Sequence, residues 1–360
     1  MKAVVCHGFG PPETLTVEDL PRPLPGPGQV LVGTHAIGVN FTDVLAIEGR
    51  SQLKRHFPMI PGVEGAGVVL QVGAGVTRLR PGQRVLGTKT HGTYAEEVLF
   101  EDDELAPIPD AMDMLDAGAF YVAANTVRYS LQDRARLAAG EILLVLGAGG
   151  GAGIAAVQLA KALGARVVAA ASSDDKLALA KEHGADALVR YPRGPLDVPA
   201  QKAFAAELLA NARRADATPM SVGEVSSVHP DAGYHVVFDG VGGSYAEPAL
   251  RALGWEGRYV SVGFAAGVPN LPLGPLLFKN ADIIGIQFSG DEVRLPGRIP
   301  DAMKRLFDWY LAGCLRPTIS EVLPLAQAPA ALRSMAERRA TGRIVLTTSA
   351  YRATPSGATT

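Results

Sequence analysis

The glycine-rich stretch LLVLGAGGGAGIAAV, residues 143–157, constrains the fold of this chain more than any other segment. Its glycines lie between an apolar run and an alanine-rich run, as in a tight turn that joins a strand to a helix. The spacing departs from G-x-G-x-x-G, because Ala148 stands at the first glycine position while Gly150 and Gly153 stand at the next two. The stretch is therefore either a dinucleotide-binding loop or a plain glycine-rich turn.

The surrounding sequence favours the dinucleotide-binding loop. A predicted strand precedes the glycines, a predicted helix follows them, and both belong to a βαβ unit of about thirty residues. In such a unit, glycines let backbone N–H groups approach a pyrophosphate at the start of the helix. The sequence therefore predicts cofactor contacts from Gly150, Gly151, Ala152 and Gly153.

From about residue 125 onwards, apolar runs alternate with helical patterns. Uninterrupted apolar strands between helices predict a parallel sheet that is covered on both faces. After the second strand, Ser173 is predicted to cap a helix over residues 174–183, and a further helix is predicted over residues 201–214. The predicted strands are EILLVL (141–146), RVVAAA (166–171), ALVRY (187–191), YHVVFD (234–239), RYVSVG (258–263) and ADIIGIQ (281–287).

Residues 1–124 have a different pattern, with short β-branched runs separated by glycine- and proline-rich turns. This pattern predicts a compact and mostly antiparallel β domain. Residues 192–230 interrupt the later alternation and are interpreted as a surface excursion, and the tail from about Ala350 is predicted to be disordered. A chain of 360 residues with 48% hydrophobic residues is long enough for two such domains.

Charge and cysteine content exclude several classes of protein. The net charge is −2 and no long basic cluster is present, which argues against nucleic acid as a partner. Cys6 and Cys314 cannot form a disulfide framework, and they fit a reducing, cytoplasmic location. The start of the chain has no signal-peptide pattern, and glycines divide the apolar stretch 142–160, so no membrane segment is expected.

The end of the second strand indicates which dinucleotide is bound. An NAD site usually places a carboxylate there, whereas this chain has Ala171 followed by Ser172 and Ser173. Hydroxyl groups together with Lys176 suit the 2′-phosphate of NADPH, although a solvated helix lysine is the alternative for Lys176. The two acidic residues of the first helical turn, Asp174 and Asp175, are expected to face solvent.

Seven segments in order resemble the medium-chain dehydrogenase/reductases, and most closely their zinc-free quinone oxidoreductase branch, which includes the zeta-crystallins. They are GVNFTD (38–43), PGVEGAGVV (61–69), GTYAEEV (92–98), the glycine loop with AAVQLAKALGA (155–165), AASSDDKLALAKEHGAD (170–186), VVFDGVGG (236–243) and GRYVSVGF (257–264). The resemblance implies an α/β protein with a GroES-like, β-rich catalytic domain, formed by residues 1–124 and 291–360. It also implies a Rossmann cofactor domain with a doubly wound parallel sheet over residues 125–290, and an active site in the cleft between the domains.

The residues at the family's zinc-ligand positions argue against a catalytic metal. Zinc-dependent members have cysteine and histidine where this chain has Asn40 and Val63, and the third ligand position has no cysteine. Catalytic zinc needs about three protein ligands, so no metal is expected. Without a Lewis acid, reduction of a quinone or an α,β-unsaturated carbonyl is easier than reduction of a simple ketone.

The resemblance also assigns roles to individual residues. Asn40 and Asp43 are the expected catalytic residues. Asn40 would face the nicotinamide and donate from its side-chain amide to a carboxamide or substrate oxygen, unless it only stabilises a turn. Asp43 would orient this loop, unless it is simply a carboxylate at a helix N-terminus. Tyr191 and Phe264 could each serve in packing instead of cofactor contact. The residues that the resemblance assigns to cofactor binding are Asn40, Thr126, Tyr191, Val241, Gly263 and Phe264. Ser51 stands where many relatives have a tyrosine, which leaves water, Ser51 or Arg50 as the proton donor.

The favoured function is NADPH-dependent hydride transfer to a quinone or enone. The segment LAIEGRSQLKRHFPMIPG (45–62) also resembles that of acrylyl-CoA-like enoyl-thioester reductases, in which Lys54, Arg55 and His56 would meet a CoA phosphate unless they are simply an exposed basic run. A third alternative is a non-catalytic, crystallin-like NADPH-binding protein. Because ADIIGIQF (281–288) resembles the strand through which family members pair, a homodimer is expected.

Overall fold

The computed structural model describes residues 1–51, 56–215, 233–287 and 298–352. The chain divides into two compact units. The N-terminal unit combines Met1–Val122 with Glu292–Thr360, and the cofactor-type unit comprises Ala123–Asp291.

The described strands are numbered here in chain order. They are β1 Lys2–Val5, β2 Thr16–Asp19, β3 Gln29–Gly38, β4 Glu64–Val72, β5 Arg84–Thr88, β6 Glu97–Glu101, β7 Leu105–Pro107, β8 Ile142–Leu146, β9 Arg166–Ala171, β10 Ala187–Arg190, β11 Tyr234–Asp239, β12 Leu253–Ser261, β13 Asp282–Gly285, β14 Ile319–Pro324 and β15 Arg343–Thr347.

The described helices follow the same numbering. They are α1 Phe41–Ile47, α2 Met114–Gly118, α3 Tyr121–Val127, α4 Gly151–Ala162, α5 Asp174–Glu182, α6 Val198–Ala215, α7 Ala246–Arg251, α8 Gly274–Lys279, α9 Arg298–Leu311 and α10 Ala328–Ala336. A π-helical segment, Arg128–Arg134, continues from α3. None of the helices in the described part of the chain is both long enough and apolar enough to cross a bilayer.

The N-terminal unit is built around a seven-stranded sheet of order β14-β15-β3-β4-β5-β7, with β6 paired to β3. All of its pairings are antiparallel except β14 with β15, which agrees with the predicted β-rich domain. One apolar cluster of this unit joins β3, α1 and α10, for example through Ile37, Ile47 and Leu332. This packing fixes α1 against the end of β3.

The cofactor-type unit contains a six-stranded parallel sheet of order β10-β9-β8-β11-β12-β13. Numbered within the unit, this is the order 3-2-1-4-5-6 of a doubly wound dinucleotide-binding fold, with its switch point between β8 and β11. All five residues of β8 are buried, as expected for a central strand with helices on both faces. The predicted fold class is confirmed.

Several expectations fall wholly or partly outside the described residues. The excursion over 192–230 includes α6, which contains the helix predicted there, whereas residues 216–232 lie outside the description. Lys54, Arg55 and Phe288 also lie outside it, as does the tail beyond residue 352.

Candidate functional site

The turn after β8 depends on close backbone approaches that only glycine permits. Gly147 has a φ of +77°, and the N–H of Gly150 donates to its carbonyl at 3.1 Å. A Cβ on Gly153 would overlap that carbonyl and would lie 2.7 Å from the Cα of Ala148. The first turn of α4 therefore packs directly on the preceding turn, as in a cradle for a phosphate.

The four residues predicted to bind the pyrophosphate lie together at the start of α4. Gly150 is the N-cap and Gly151 is the first helical residue. Gly150, Gly151 and Ala152 are half-buried, so the core does not enclose them. Because a glycine N-cap has no side chain, it leaves the first N–H groups of the helix uncapped. These groups fit an anionic ligand.

Lys176 lies against this glycine loop. A Cβ on Gly149 would lie 2.6 Å from the Cγ and 3.0 Å from the Cδ of Lys176, so the lysine stem runs across the glycine. Lys176 is 9% exposed, although it belongs to the first turns of a surface helix. Lys176 is therefore largely removed from solvent, and its contact with the cofactor stays a prediction.

The residues around Lys176 agree with the sequence in part. Ser172 and Ser173 follow β9 and are half-buried, while Asp174 and Asp175 are exposed as expected. Ser173 occupies the N-cap position of α5, but its hydroxyl makes no capping hydrogen bond. The prediction that this hydroxyl caps α5 is therefore wrong, and the two first-turn carboxylates complement the helix dipole instead.

The turns after the central strands share one edge of the sheet. Leu146, Asp239 and Ser261, the last residues of β8, β11 and β12, are register partners. Val241 is buried in the turn after β11, and a Cβ on Gly147 would lie 3.0 Å from its Cγ2. Val241 therefore touches the glycine loop across the switch point of the sheet.

The other predicted cofactor residues have different surroundings. Gly263 follows β12, and the neighbouring Phe264 is 38% exposed, which disfavours a plain core role for its ring. Thr126 is half-buried on α3. Tyr191 is buried, with its ring centroid 4.8 Å from that of Tyr245, so packing accounts for its position. Cofactor contact by these residues stays a prediction.

Asn40 and Asp43 belong to a buried polar cluster in the N-terminal unit. Asn40 is the N-cap of α1, and its backbone N–H donates to Asp43 Oδ2 at 2.9 Å. Its Nδ2 donates to the Gly38 carbonyl at 3.1 Å and to Glu64 Oε1 at 3.0 Å. Arg343 Nη1 donates to its Oδ1 at 2.9 Å. The amide is thus engaged on both sides, and its predicted contact with nicotinamide or substrate stays a prediction.

Glu64 and Arg343 form the charged centre of this cluster. They are 1% and 6% exposed. Arg343 Nη2 donates to Glu64 Oε1, and the N–H of Val122 donates to Glu64 Oε2 at 2.9 Å. A buried ion pair is tolerated when its oxygens are also hydrogen-bonded in this way. The pair fixes the orientation of the Asn40 amide, because one partner accepts from it and the other donates to it.

Asp43 lies in the first turn of α1, and its predicted catalytic and loop-orienting role stays a prediction. It is the third residue of α1 and forms a capping box with Asn40. Its Oδ2 also accepts a hydrogen bond from the Tyr94 hydroxyl at 2.9 Å. Burial raises the pKa of Asp43 to about 7, although hydrogen bonds from the Asn40 backbone and from Tyr94 act in the opposite direction.

No grouping of three histidine, cysteine, aspartate or glutamate side chains suited to a metal ion occurs among the described residues. Ser51, at the family's tyrosine position, is half-buried, and His56 is exposed.

Comparisons with known proteins agree with this geometry. The family model described as "Alcohol dehydrogenase GroES-like domain" matches residues 26–110, and that described as "Zinc-binding dehydrogenase" matches residues 151–308. Quinone oxidoreductase-like protein 2 of Bos taurus is 32% identical over 348 residues, covering 96% of this chain and 92% of the relative. The chain belongs to the medium-chain dehydrogenase/reductase superfamily. Its place is in the quinone oxidoreductase branch.

Two further relatives match this chain over nearly its whole length. A quinone oxidoreductase of Pseudomonas aeruginosa is 32% identical, over 96% of this chain and 99% of the relative. The solved quinone oxidoreductase of Thermus thermophilus, also known as a complex with NADPH, is 31% identical with a TM-score of 0.78. That alignment covers 96% of this chain and 100% of the other.

Three residues near the candidate site are not predicted by the sequence: Tyr94, Asp239 and Arg343. No motif of the sequence indicates a role for Arg343 or Tyr94, and the motif VVFDGVGG indicates none for Asp239 in particular. Arg343 is 279 positions from its partner Glu64, and no local pattern indicates such a pairing. The sequence does indicate a special position for Asp239, because an acidic residue at the end of a buried apolar strand needs hydrogen-bond donors around it.

Proposed function

We propose that this medium-chain reductase transfers hydride from NADPH to a quinone or an α,β-unsaturated carbonyl. The position of Lys176 carries the proposal, because its stem crosses Gly149 in the phosphate-type loop. Ala171 at the end of β9 places no carboxylate there to repel a 2′-phosphate. The Thermus thermophilus relative, known as a complex with NADPH, supports the same cofactor.

Each part of the cofactor would be bound by a separate group of residues. The N–H groups at the start of α4 would bind the pyrophosphate, and Ser172, Ser173 and Lys176 would bind the 2′-phosphate. Val241, Gly263 and Phe264 would line the nicotinamide end. When bound, NADPH supplies a hydride equivalent from C4 of its nicotinamide. The residues of the chain would bind and orient it.

We further propose that the reaction does not use zinc. Asn40 and Val63 stand at two positions where zinc-dependent relatives have metal ligands. The Asn40 amide is hydrogen-bonded to Glu64 and Arg343. An amide, a carboxylate and a guanidinium do not together form a set of zinc ligands. Conjugated acceptors suit such a site, because their negative charge is delocalised and hydrogen-bond donors or water can neutralise it.

A homodimer is part of the proposal. β13 is the last strand of the parallel sheet and pairs only with β12 among the described residues. The segment that leads into it exposes large apolar side chains, with Leu277 and Phe278 each 80% exposed on α8 and Ile283 40% exposed on β13. A second copy of this chain would cover these side chains and pair the outer edge of β13.

The proposal is tested by following NADPH oxidation at 340 nm under anaerobic conditions, with an ortho-quinone and a medium-chain enone in parallel reactions. Enzyme-free mixtures correct for direct reduction of the quinone. Turnover of either acceptor supports the proposal, and the more active acceptor names the substrate class. Binding of NADPH without turnover of either would favour a thioester substrate or a non-catalytic protein. Preference for NADH would refute the proposed role of Lys176.

A further inference from the structure

Asp239 is a buried carboxylate at the end of a central strand of the cofactor-type unit. It is the last residue of β11, next to the switch point, and it is 1% exposed. An acidic side chain is seldom fully buried unless donors surround it. The proposed function gives Asp239 no direct contact with cofactor or substrate, so its burial calls for an explanation.

Five hydrogen-bond donors converge on Asp239. Its Oδ1 accepts from the N–H of Val241 at 2.7 Å and of Gly242 at 2.9 Å, and its Oδ2 accepts from the hydroxyl of Tyr259. Its backbone carbonyl accepts from the N–H of Val262 at 2.9 Å and of Gly263 at 3.2 Å. One residue therefore ties together the turns after β11 and β12.

The turn after β11 has a conformation that needs such support. Gly242 and Gly243 have φ values of +69° and +55°, in the left-handed region that favours glycine. A Cβ on Gly242 would lie 2.6 Å from the carbonyl oxygen of Gly267 and 3.3 Å from the Cα of Phe264. The two turns thus pack closely, and a shift of one must displace the other.

The same turn reaches the glycine loop. Val241, whose N–H is bound by Asp239, lies against Gly147. Its carbonyl accepts from the N–H of Ala266 at 2.7 Å. The position of Val241 is therefore set by Asp239 on one side and by the turn after β12 on the other.

We propose that Asp239 and Tyr259 are a positioning pair for the nicotinamide end of the cofactor site. Tyr259 fixes the Asp239 carboxylate, and the carboxylate fixes Val241 beside the glycine loop and the turn that carries Gly263 and Phe264. This inference rests on the proposed function, because it concerns the same cofactor. It adds that residues which do not touch the cofactor determine how well its site is formed.

The sheet provides a matched control for Tyr259. Tyr234 is also buried, lies at the start of β11, and donates its hydroxyl to the Leu208 carbonyl at 2.8 Å. Tyr259→Phe and Tyr234→Phe each remove one buried hydroxyl from the same sheet. Only Tyr259→Phe removes a donor from the Asp239 carboxylate.

The test measures NADPH affinity by fluorescence titration and amide exchange of a peptide over residues 239–243 in the cofactor-free protein. For Tyr259→Phe we expect a five- to tenfold weaker affinity and faster exchange of the Val241 and Gly242 amides. For Tyr234→Phe we expect both to stay within twofold of wild type. Asp239→Asn, which keeps an acceptor for both turn amides, should stay within threefold, whereas Asp239→Ala should lose at least tenfold.

Each result either supports the pair or overturns it. Faster exchange in Tyr259→Phe with unchanged affinity would overturn the inference and leave the proposed function intact, as would equal affinity losses in both tyrosine variants. Failure of the wild-type protein to bind NADPH would overturn both the proposed function and the inference. If Tyr259→Phe does not fold, the comparison of Asp239→Asn with Asp239→Ala decides the question.

Discussion

At the scale of single residues, removal from water controls the ionisation of Asp43. Its pKa is raised to about 7 by burial, against about 3.9 for an aspartate in an unfolded chain. The folded protein therefore binds this proton more tightly than the unfolded chain does. Its contribution to the free energy of unfolding is fully present below about pH 4 and is lost as the pH rises through 7.

Asp43→Asn should remove this dependence on pH. The asparagine oxygen can still accept from the Asn40 N–H and the Tyr94 hydroxyl, so the geometry is kept. Between pH 5 and pH 8, chemical denaturation should show that the wild-type protein loses about 2.6 kcal/mol more stability than the variant does. Asp110→Asn, at an exposed position, is the control. Parallel losses in wild type and Asp43→Asn would mean that Asp43 is already ionised at pH 5.

Lys176→Met tests the charge of the lysine while keeping its stem over Gly149. We expect the Kd for NADPH to rise about tenfold, which is ~1.4 kcal/mol, because a charge-assisted contact with the 2′-phosphate is lost. The Kd for NADH should not change. Lys181→Met, at an exposed position on the same helix, is the control. An equal loss of affinity for NADH would show that Lys176 supports the loop and does not select the phosphate.

Residues of the site differ in how far the sequence predicts them. Lys176 can be predicted because it lies on α5, shortly after the βαβ unit whose glycine loop it touches. The roles of Glu64 and Arg343 cannot, since they arise from the pairing of β15 with β3, which brings distant segments together. For Asn40, the sequence indicates the position but not the three partners that engage its amide.

At the scale of elements, local patterns account for the strands and helices of the cofactor-type unit. β9 has the bounds of the predicted run RVVAAA, because a buried parallel strand is a short apolar segment with clear ends. The order β10-β9-β8-β11-β12-β13 depends instead on long-range pairing. It follows from the resemblance to a known fold and not from periodicity, since each apolar run could pair with any other.

Gly150, the N-cap of α4, and Gly153, in its first turn, should separate ligand binding from packing. A Cβ on Gly153 would overlap the backbone of the preceding turn, whereas on Gly150 its nearest neighbour is the Gly147 oxygen at 3.7 Å. Gly153→Ala should therefore lower the free energy of unfolding by about 1–3 kcal/mol. Gly150→Ala should keep near-wild-type stability but weaken NADPH binding, because its methyl group occupies the approach to the helix N–H groups. Thermal unfolding and fluorescence titration measure the two effects, and equal destabilisation would contradict this assignment.

At the scale of the whole molecule, both ends of the chain contribute to the N-terminal unit. β14 and β15 extend the sheet that begins with β3, so the segment after residue 298 completes the unit that encloses Asn40. Composition alone indicates the change near residue 125 from a β-rich sequence to one in which predicted strands alternate with predicted helices. Composition does not indicate that the end of the chain returns to the N-terminal unit, because the strands of both units are similar apolar runs.

The proposed homodimer gives a direct prediction of mass. Light scattering at micromolar concentrations should give twice the chain mass of 37.6 kDa. Leu277→Glu should shift the protein towards the monomer, because it places a charge in the exposed apolar segment before β13. Leu24→Glu, at a side chain that is 75% exposed in the N-terminal unit, should not. A monomeric wild-type protein would refute the dimer.

Hydride transfer itself is tested most directly by single-turnover oxidation of deuterated NADPH. The enzyme is loaded with NADPH carrying deuterium on one or the other face of C4, and mixed anaerobically with saturating ortho-quinone or enone. We predict rapid oxidation with at least one acceptor, slowed by deuterium on one face only, because a protein-bound cofactor presents one face to the acceptor. If neither acceptor oxidises the bound cofactor faster than the enzyme-free reaction does, the proposed function is wrong.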